Sequence, residues 1–358
     1  MTMAKKGLVD IYKIGDFYSG LGQFSYHLAA ELMKNPVGKD LEFLVPSTET
    51  SQHFRDKRNI SFVKAGLQKR FFPQLNPRYA FWHSTQQFPS FLPGPQTPMI
   101  LTIHDLNFMH GKSPAKAKRY LNRLQKLVDR AQAITTISRF TRHEIEEHIN
   151  LRGKEIRVIY NGIPSPPATT GNRPSYLEPG KYFFSIGVFK KSKQFHTLLP
   201  LMKHFPDHQL VLAGNYHTEY GKEILSLISS LGLGRRVVLP GTISENEKNW
   251  LYANCDAFLF PSIAEGFGLP LAEAMRAGCP VFSSRFTSLP EIGGETIYYF
   301  EELAHDSMRD AILSGLNDFN SHPLLRKQAM KEQAARFNWD LSAAGYISLY
   351  NEFLANQI

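Results

Sequence analysis

The sequence predicts an α/β protein with two doubly wound, parallel-sheet domains. Short apolar runs alternate with helix-period segments in both halves of the chain, which is the pattern of βα units. A stretch rich in proline and glycine, residues 164–180, separates the two series and is typical of a linker. With 358 residues, the chain is long enough for two domains that each bury a core.

Strands are predicted in the first half where short apolar runs end at polar or turn residues. These runs cover residues 8–14, 41–45, 60–63, 79–83, 99–104, 133–137 and 156–160. A loop containing Gly20 and Gly22 follows the first strand, and a helix is predicted over residues 24–33. Ligands of open α/β sheets gather at the carboxyl ends of strands, which makes His104 and Asp105 candidate site residues. A structural, hydrogen-bonded histidine is the alternative for His104.

The second half repeats the pattern, with strands predicted at residues 182–186, 209–213, 237–239, 257–260 and 281–283. Residues 255–284 are the most informative stretch. The fourth strand ends at Pro261, Gly266 and Gly268 form a tight loop, and the helix that follows ends at Gly278. A glycine loop that opens a helix offers backbone N–H groups and a positive helix end to a phosphate. Since Glu265 and Glu273 flank these donors, we expect both carboxylates to border one anion pocket that suits a nucleotide-sugar.

Composition and charge narrow the class of partner. The hydrophobic share of 42% and the charged share of 20% are ordinary for a soluble globular protein. No apolar stretch approaches the ~20 residues that cross a bilayer, and no signal peptide is predicted, so we expect a soluble or peripheral protein. Residues 1–170 carry 24 basic against 13 acidic residues, a net charge of +11. This excess indicates either an anionic partner or a merely solvated surface.

Residues 112–130 are predicted to form a basic amphipathic helix. Such a helix could lie on an anionic bilayer or bind a phosphorylated acceptor. The alternative is a surface helix whose apolar stripe is buried in the core.

The stretch Glu265-Gly-Phe-Gly-Leu-Pro-Leu-Ala-Glu273 matches the E-G-F-G-L-P-x-x-E signature of the GT4 family of retaining glycosyltransferases. The segment Thr102-Ile-His-Asp-Leu106 resembles the family's mannosyltransferases. The resemblance implies the GT-B fold: two Rossmann-like doubly wound domains with a cleft between them and a C-terminal helix that crosses back. The implied boundaries are an acceptor-binding domain at 1–168, a linker at 169–180, a nucleotide-sugar-binding domain at 181–338, and a helix at 339–358 that packs on the N-terminal domain.

The resemblance also assigns roles residue by residue. It implies that His104, Glu265 and Lys193 are catalytic. The usual arginine before the lysine is here Ser192, which leaves open whether Lys190 or Lys191 compensates. The implied donor-binding residues are Gly20, Gly22, Ser192, Thr242, Ile243, Gly266, Phe267, Gly268, Leu269 and Glu273.

The implied reaction is retaining transfer of a hexose from a nucleotide-sugar to a glycan or lipid-linked acceptor, in cell-surface polysaccharide synthesis. GDP-mannose is the favoured donor, and a UDP-sugar is the other candidate. The chain has no Asp-x-Asp motif, so no metal is expected, nor any other cofactor, and no nucleic-acid partner. The expected location is the cytoplasm, or the inner face of the cytoplasmic membrane. The alternatives are a non-catalytic module that binds a sugar-nucleotide or a membrane surface, and a nucleotide-sugar epimerase of the same fold.

Overall fold

The computed structural model describes residues 5–54, 60–111, 113–164 and 171–355. Lys112, at the start of the predicted basic helix, and residues 165–170 of the proline-rich stretch lie outside the described residues. The chain divides into two compact units. The first unit is Met1–Gly162 with Phe337–Ile358, and the second unit is Ile163–Arg336.

The first unit is built on a parallel sheet that has seven strands among the described residues. The strands are β1 (Gly7–Asp10), β2 (Leu41–Val45), β3 (Ser61–Lys64), β4 (Trp82–Ser84), β5 (Met99–Ile103), β6 (Ala133–Thr136) and β7 (Ile156–Val158). Their order in the sheet is β3-β2-β1-β4-β5-β6-β7, with every neighbouring pair parallel. The order reverses between β1 and β4, which is where open α/β sheets bind ligands.

The helices of the first unit are α1 (Gly20–Lys34), α2 (Leu67–Phe71), α3 (Phe108–Gly111), α4 (Pro114–Arg130) and α5 (Arg139–His148). The apolar face of α4, with Leu124, Leu127 and Val128, is buried in one core with Met99 and Leu101 of β5. The apolar stripe of the basic helix therefore belongs to the core, as the second alternative predicted, and most of its basic residues are exposed.

The first strand is shorter than predicted, and the first helix is longer. The carboxylate of Asp10 accepts a hydrogen bond from the Tyr12 N–H at 3.0 Å, and a 3₁₀ turn over Tyr12–Gly15 follows. A side chain that bonds the backbone two residues on turns the chain, so the strand ends at Asp10 instead of continuing to residue 14. Helix α1 begins at Gly20, because the Ser19 side chain caps it by accepting from the Gly22 N–H.

The second unit has a parallel sheet with six strands among the described residues, in the order β10-β9-β8-β11-β12-β13. The strands are β8 (Lys181–Ile186), β9 (His208–Ala213), β10 (Val237–Gly241), β11 (Ala257–Phe260), β12 (Val281–Ser283) and β13 (Tyr298–Tyr299). The helices are α6 (Leu198–Leu201), α7 (Glu219–Ser230), α8 (Glu245–Asn254), α9 (Leu269–Ala277), α10 (Leu289–Gly293), α11 (His305–Ser321) and α12 (Pro323–Ala335). All five strands predicted for this half are present, and β13 was not predicted. Nowhere in the described residues is a helix long and apolar enough to cross a membrane.

The last helix, α13 (Trp339–Ala355), packs on α1 of the first unit, as predicted for a C-terminal helix that crosses back. Trp339 stacks on His27 with ring centroids 5.3 Å apart, and Phe24 contacts both Trp339 and Tyr346. These rings join the helix to the apolar face of α1.

A buried polar network also ties α13 to the sheet. His83 of β4 bonds the Tyr350 hydroxyl through Nδ1 at 2.6 Å and the Thr102 hydroxyl through Nε2 at 2.7 Å. The Thr102 hydroxyl also contacts Thr135 at 2.7 Å and Tyr346 at 3.3 Å. Burial lowers the pKa of His83 to about 3, so its ring stays neutral and needs one donor and one acceptor partner.

Replacing Tyr350 by phenylalanine is expected to lower the free energy of unfolding by about 1–3 kcal/mol, because it leaves Nδ1 of the buried His83 without a partner. Tyr346→Phe is the matched control, and a smaller loss is expected since Thr102 keeps two other partners. Urea unfolding of both variants measures the difference. Equal losses would show that His83 does not depend on the Tyr350 hydroxyl.

Candidate active site

The loop between β11 and α9 has the predicted strand–loop–helix arrangement. Gly268 is the N-cap of α9 with φ +92°, a left-handed conformation that favours glycine. A Cβ at this position would lie 2.7 Å from Cδ2 of Leu289, so space also favours glycine. Pro270 lies in the first turn, where a missing N–H costs no helix bond. The segment therefore presents the start of a nine-residue helix behind a compact loop.

Glu265 of this loop forms an ion pair with Lys193, which lies in a 3₁₀ turn after β8. Both side chains are largely buried, with 15% of Lys193 and 13% of Glu265 exposed. The ammonium group also lies over the ring of Phe260, 5.1 Å from its centroid. The structure thus brings two of the predicted catalytic residues into contact and holds the lysine ammonium against a carboxylate and an aromatic ring.

Ser192 joins the same two loops through its backbone. Its carbonyl accepts from the Ile263 N–H at 2.8 Å and from the Ser262 hydroxyl at 3.1 Å. The neighbouring Lys191 points elsewhere, since its Nζ lies 3.3 Å from Glu223 of α7 and its side chain is 76% exposed. Of the two lysines considered as substitutes for the missing arginine, Lys191 is therefore engaged outside the loop, and Lys190 is exposed.

Glu273 lies on α9 and is held by two side chains of α8. Its Oε1 is 2.9 Å from Nζ of Lys248, and its Oε2 accepts from the Tyr252 hydroxyl at 3.2 Å. Thr242 and Ile243 lie between the end of β10 and Ser244, which caps α8. The loop predicted to contact the base therefore runs directly into the helix that holds Glu273.

His104 follows β5 in the first unit and is buried. Its Nε2 donates to the Thr85 carbonyl at 2.7 Å, and its ring meets Phe24 edge-on at 4.7 Å. Burial lowers the pKa of His104 to about 4, against a smaller opposing effect of the Thr85 bond. The ring is consequently neutral near pH 7, with Nδ1 as a hydrogen-bond acceptor.

Gly20 and Gly22 lie in the first turn of α1 and not in a loop before it, which corrects the prediction. The two positions differ sharply in space. A Cβ at Gly22 would lie 2.0 Å from the Asp16 carbonyl oxygen, whereas a Cβ at Gly20 has nothing within 4 Å. Gly22 is thus required for packing of the β1–α1 loop, and Gly20 borders open space.

Gly22→Ala is expected to destabilise the fold by about 1–3 kcal/mol, because the new methyl group meets backbone that must move. Gly20→Ala is expected to leave stability within about 0.5 kcal/mol, as at an ordinary surface position. Thermal unfolding of the two variants is the measurement. If Gly20→Ala were the more damaging substitution, the arrangement of this loop would be wrong.

The protein-family models that match the sequence of this chain describe glycosyltransferases. "Glycosyl transferases group 1" matches residues 172–335, and "Glycosyltransferase Family 4" matches residues 18–165. The chain belongs to the GT4 glycosyltransferases. This confirms the predicted family and enzyme class.

Named GT4 relatives include mannosyltransferases. The chain is 27% identical over 370 residues to the O-antigen chain mannosyltransferase B of Escherichia coli, an alignment that covers 93% of this chain and 96% of that protein. It is 29% identical over 262 residues to the serotype-specific mannosyltransferase WbdA of Escherichia coli, covering 67% of this chain and 32% of WbdA. The chain therefore spans only about a third of the length of that relative.

A solved structure, Anabaena Alr3699/HepE in complex with UDP and glucose, superposes with a TM-score of 0.74 at 18% identity. The alignment covers 97% of this chain and all of HepE. At this identity the likeness shows the fold, and the predicted GT-B fold class is confirmed.

The GT4 motif alone does not reveal three features of the site: Lys248, Tyr252 and the buried Asp10. Lys248 and Tyr252 are four positions apart, which places them on one face of a helix, but that spacing does not identify their partner. Asp10 ends β1 at the carboxyl edge of the sheet, a signal that could have nominated it.

Asp10 is almost fully buried, and its Oδ2 has no hydrogen-bond partner among the described residues. Burial raises the pKa of this carboxyl to about 7, against smaller opposing effects of the Tyr12 N–H and Lys13. The backbone carbonyl of Asp10 accepts from the hydroxyl of Thr85, whose own carbonyl binds His104. Asp10 and His104 are therefore linked through one residue.

Within the described residues, one group of side chains has metal-ligand atoms close together. His204, His305 and Asp306 offer atoms within 4.8 Å of one another on the exposed surface of the second unit. The Asp306 carboxylate already pairs with Arg309 at 2.9 Å. A guanidinium on the same carboxylate opposes a cation there, and the group lies apart in sequence from the predicted site residues.

Proposed function

We propose that this chain is a retaining hexosyltransferase that uses a nucleotide-sugar, with GDP-mannose favoured and a UDP-sugar as the other candidate donor. The observation that carries the proposal is the Lys193–Glu265 pair beside the start of α9, together with the GT4 signature. The acceptor is a glycan or a lipid-linked glycan of cell-surface polysaccharide synthesis. The named mannosyltransferase relatives support both the donor and the acceptor class.

The chemistry that the second unit must provide is stabilisation of a leaving diphosphate. Negative charge gathers on the phosphate while the sugar becomes oxocarbenium-like. An ammonium group has three N–H donors, so Lys193 can keep one on Glu265 and give the others to phosphate oxygens. The positive end of the α9 dipole, at Gly268 and Leu269, adds to this effect.

The sugar and ribose need hydrogen-bond acceptors. Glu265 is proposed to hold sugar hydroxyls and Glu273 the ribose hydroxyls. His104 contributes a neutral ring whose Nδ1 accepts from a donor-sugar hydroxyl. The lowered pKa of His104 fits this role, because an imidazolium ion would have no lone pair to offer and would add a positive charge beside the developing oxocarbenium ion.

The test is nucleotide release from GDP-mannose, UDP-glucose, UDP-galactose and UDP-N-acetylglucosamine, measured with EDTA present. Turnover of one donor that Glu273→Ala abolishes would establish the activity and the sugar. Glu245→Ala is the matched control, because Glu245 is 59% exposed and pairs with Lys248, the lysine that also holds Glu273. This variant should retain most of the turnover. Loss of all turnover in EDTA that Mg²⁺ restores would overturn the metal-free mechanism. Absence of both binding and turnover for every donor would overturn the proposed function.

The second candidate is a non-catalytic module that binds a sugar-nucleotide. Ser192 favours it, because the loop lacks the fork of an arginine that could bind the leaving phosphate bidentately. Such a module would bind one donor of the panel, as shown by thermal stabilisation, but would release no nucleotide even with an acceptor glycan supplied. Acceptor-dependent release would exclude it.

We also propose that the first unit contacts an anionic membrane through the basic face of α4, which would place the protein at the inner face of the cytoplasmic membrane. Lys116, Arg119 and Arg123 are exposed on this helix. Since the apolar face of α4 is buried, the attraction is electrostatic and does not involve insertion.

Binding to phosphatidylglycerol vesicles is expected to weaken strongly between 50 and 500 mM salt, because screening lengths fall from roughly 14 to 4 Å. Reversing Lys116, Arg119 and Arg123 to glutamate should abolish binding at low salt. The control reverses the exposed residues Lys181, Lys203 and Arg235 of the second unit, which changes the net charge equally. Equal losses in both variants would show that overall charge, and not α4, governs binding.

A further inference from the structure

Two residues of α8 hydrogen-bond to the two oxygens of one carboxylate on α9. Lys248 and Tyr252 are one helical turn apart, so their side chains leave α8 on the same face. Nζ of Lys248 lies 2.9 Å from Oε1 of Glu273, and the Tyr252 hydroxyl lies 3.2 Å from Oε2. The Tyr252 oxygen is also 3.1 Å from the Pro270 carbonyl, in the first turn of α9. The carboxylate is thereby held at both ends.

The side chains of Lys248, Tyr252 and Glu273 are largely buried. The exposed fraction is 13% for the Lys248 side chain and 10% for that of Glu273, and Tyr252 is fully buried. Burial works to lower the pKa of Lys248, but Glu273 and Glu245 outweigh it and raise the pKa, so the ammonium is charged. A buried ion pair costs desolvation that its attraction often fails to repay, so stability alone is a weak explanation for it.

A carboxylate accepts up to four hydrogen bonds, two on each oxygen. Lys248 and Tyr252 use one on each oxygen of Glu273, which leaves one acceptor direction on each. A carboxylate whose plane is already fixed binds two neighbouring hydroxyls side by side without the entropic cost of ordering its own side chain. A ribose presents such a pair of hydroxyls.

We propose that Lys248, with Tyr252, is a positioning residue that fixes the plane of the Glu273 carboxylate for the two ribose hydroxyls of the nucleotide. The inference rests on the proposed function, which assigns the ribose to Glu273, and adds how the protein presents that carboxylate. Lys248 does not touch the reacting atoms.

The experiment measures binding of UDP and GDP, and of their 2′-deoxy and 3′-deoxy forms, by calorimetry. Of UDP and GDP, wild-type protein should bind the one with the higher affinity roughly tenfold or more tightly than its deoxy forms. The reason is that each deoxy form lacks a hydroxyl that donates a hydrogen bond to a charged carboxylate. Lys248→Met should shrink this ratio to within about threefold, while binding through the diphosphate persists. Glu273→Gln serves as the reference for a damaged ribose site.

Three further variants separate positioning from simple damage to the fold. Lys248→Arg keeps the cation and should recover part of the ratio. Tyr252→Phe removes the hydrogen bond to Oε2 and should also reduce the ratio. It replaces Lys248→Met in the experiment if that variant is too unstable to study. Glu245→Gln removes the other partner of Lys248, 3.0 Å away on the exposed side, and should keep the wild-type ratio.

The outcomes distinguish the inference from the proposed function. If Glu273→Gln loses discrimination between ribose and deoxyribose but Lys248→Met and Tyr252→Phe keep it, the positioning role is wrong and the proposed function stands. If wild-type protein binds a nucleotide but does not discriminate ribose from deoxyribose, the ribose role of Glu273 and the positioning inference are both wrong, while the transferase activity is still tested by the donor panel. If it binds neither nucleotide and turns over no donor, the proposed function is wrong as well. Loss of discrimination in Lys248→Met, with an unfolding temperature that still shows a folded protein, supports the inference.

Discussion

Replacing Lys193 by alanine is expected to lower the rate of nucleotide release by about 10²–10³-fold, with a smaller effect on donor binding. Removal of one preorganised donor to a developing negative charge typically costs that much. The loop offers little to compensate, because position 192 is serine and the Lys191 ammonium is engaged with Glu223. The measurement is kcat and KM for the donor found in the panel.

Lys191→Ala is the matched control for this prediction. The lysine lies in the same 3₁₀ turn but is 76% exposed, so its loss should change kcat by less than about twofold. Lys193→Ala also leaves Glu265 without its cation, so the unfolding temperature must be measured alongside the rate. A folded Lys193→Ala protein with normal kcat, or a larger defect in Lys191→Ala, would show that another group neutralises the phosphate.

The parts of this molecule that were predicted from sequence are those with a local signal. β11, the glycine loop and α9 follow from an apolar run, two glycines and a proline that all lie within twenty residues. The end of β1 was placed four residues too late, because the hydrophobic run continues through Ile11 and Ile14 while the Asp10 side chain turns the backbone. Apolar pattern alone does not register such a turn.

Contacts between residues far apart in the chain could not be predicted from the sequence, for a different reason. The partner of Glu273 is Lys248, 25 positions earlier on another helix, and helical spacing constrains only residues of the same helix. Likewise, nothing local says that His83 meets Tyr350, 267 positions away. For α4, both an apolar and a basic face were predicted, and the packing against β5 shows what covers the apolar face.

Asp10→Asn is expected to stabilise the protein at pH 8 by up to about 4 kcal/mol, and to change its stability little at pH 4. The pKa of Asp10 is raised from 3.8 to about 7 in the folded protein because the carboxyl is buried with one oxygen unpartnered. A raised pKa means that the fold favours the protonated form. The stability from this group is therefore complete below pH 3.8 and is lost as the pH rises to about 7, at about 1.4 kcal/mol per pKa unit.

Two buried histidines act in the opposite direction, so the wild-type curve alone does not isolate Asp10. The pKa values of His83 and His104 are lowered from 6.5 to about 3 and about 4, mainly by burial. Their contribution is present above pH 6.5 and is lost as the pH falls, toward about 4 for His104 and about 3 for His83. Stability set by all three groups should thus be greatest at intermediate pH.

The difference in unfolding free energy between Asp10→Asn and wild type cancels the histidine contributions, because both proteins contain His83 and His104. Urea unfolding at intervals between pH 4 and pH 8 should give a difference that grows steadily and levels off above pH 7. Asn keeps the acceptor for the Tyr12 N–H, so the 3₁₀ turn survives the substitution. A difference that stays flat across this range would mean that Asp10 titrates alike in the folded and unfolded chain, and that its carboxyl is not the costly buried charge described above.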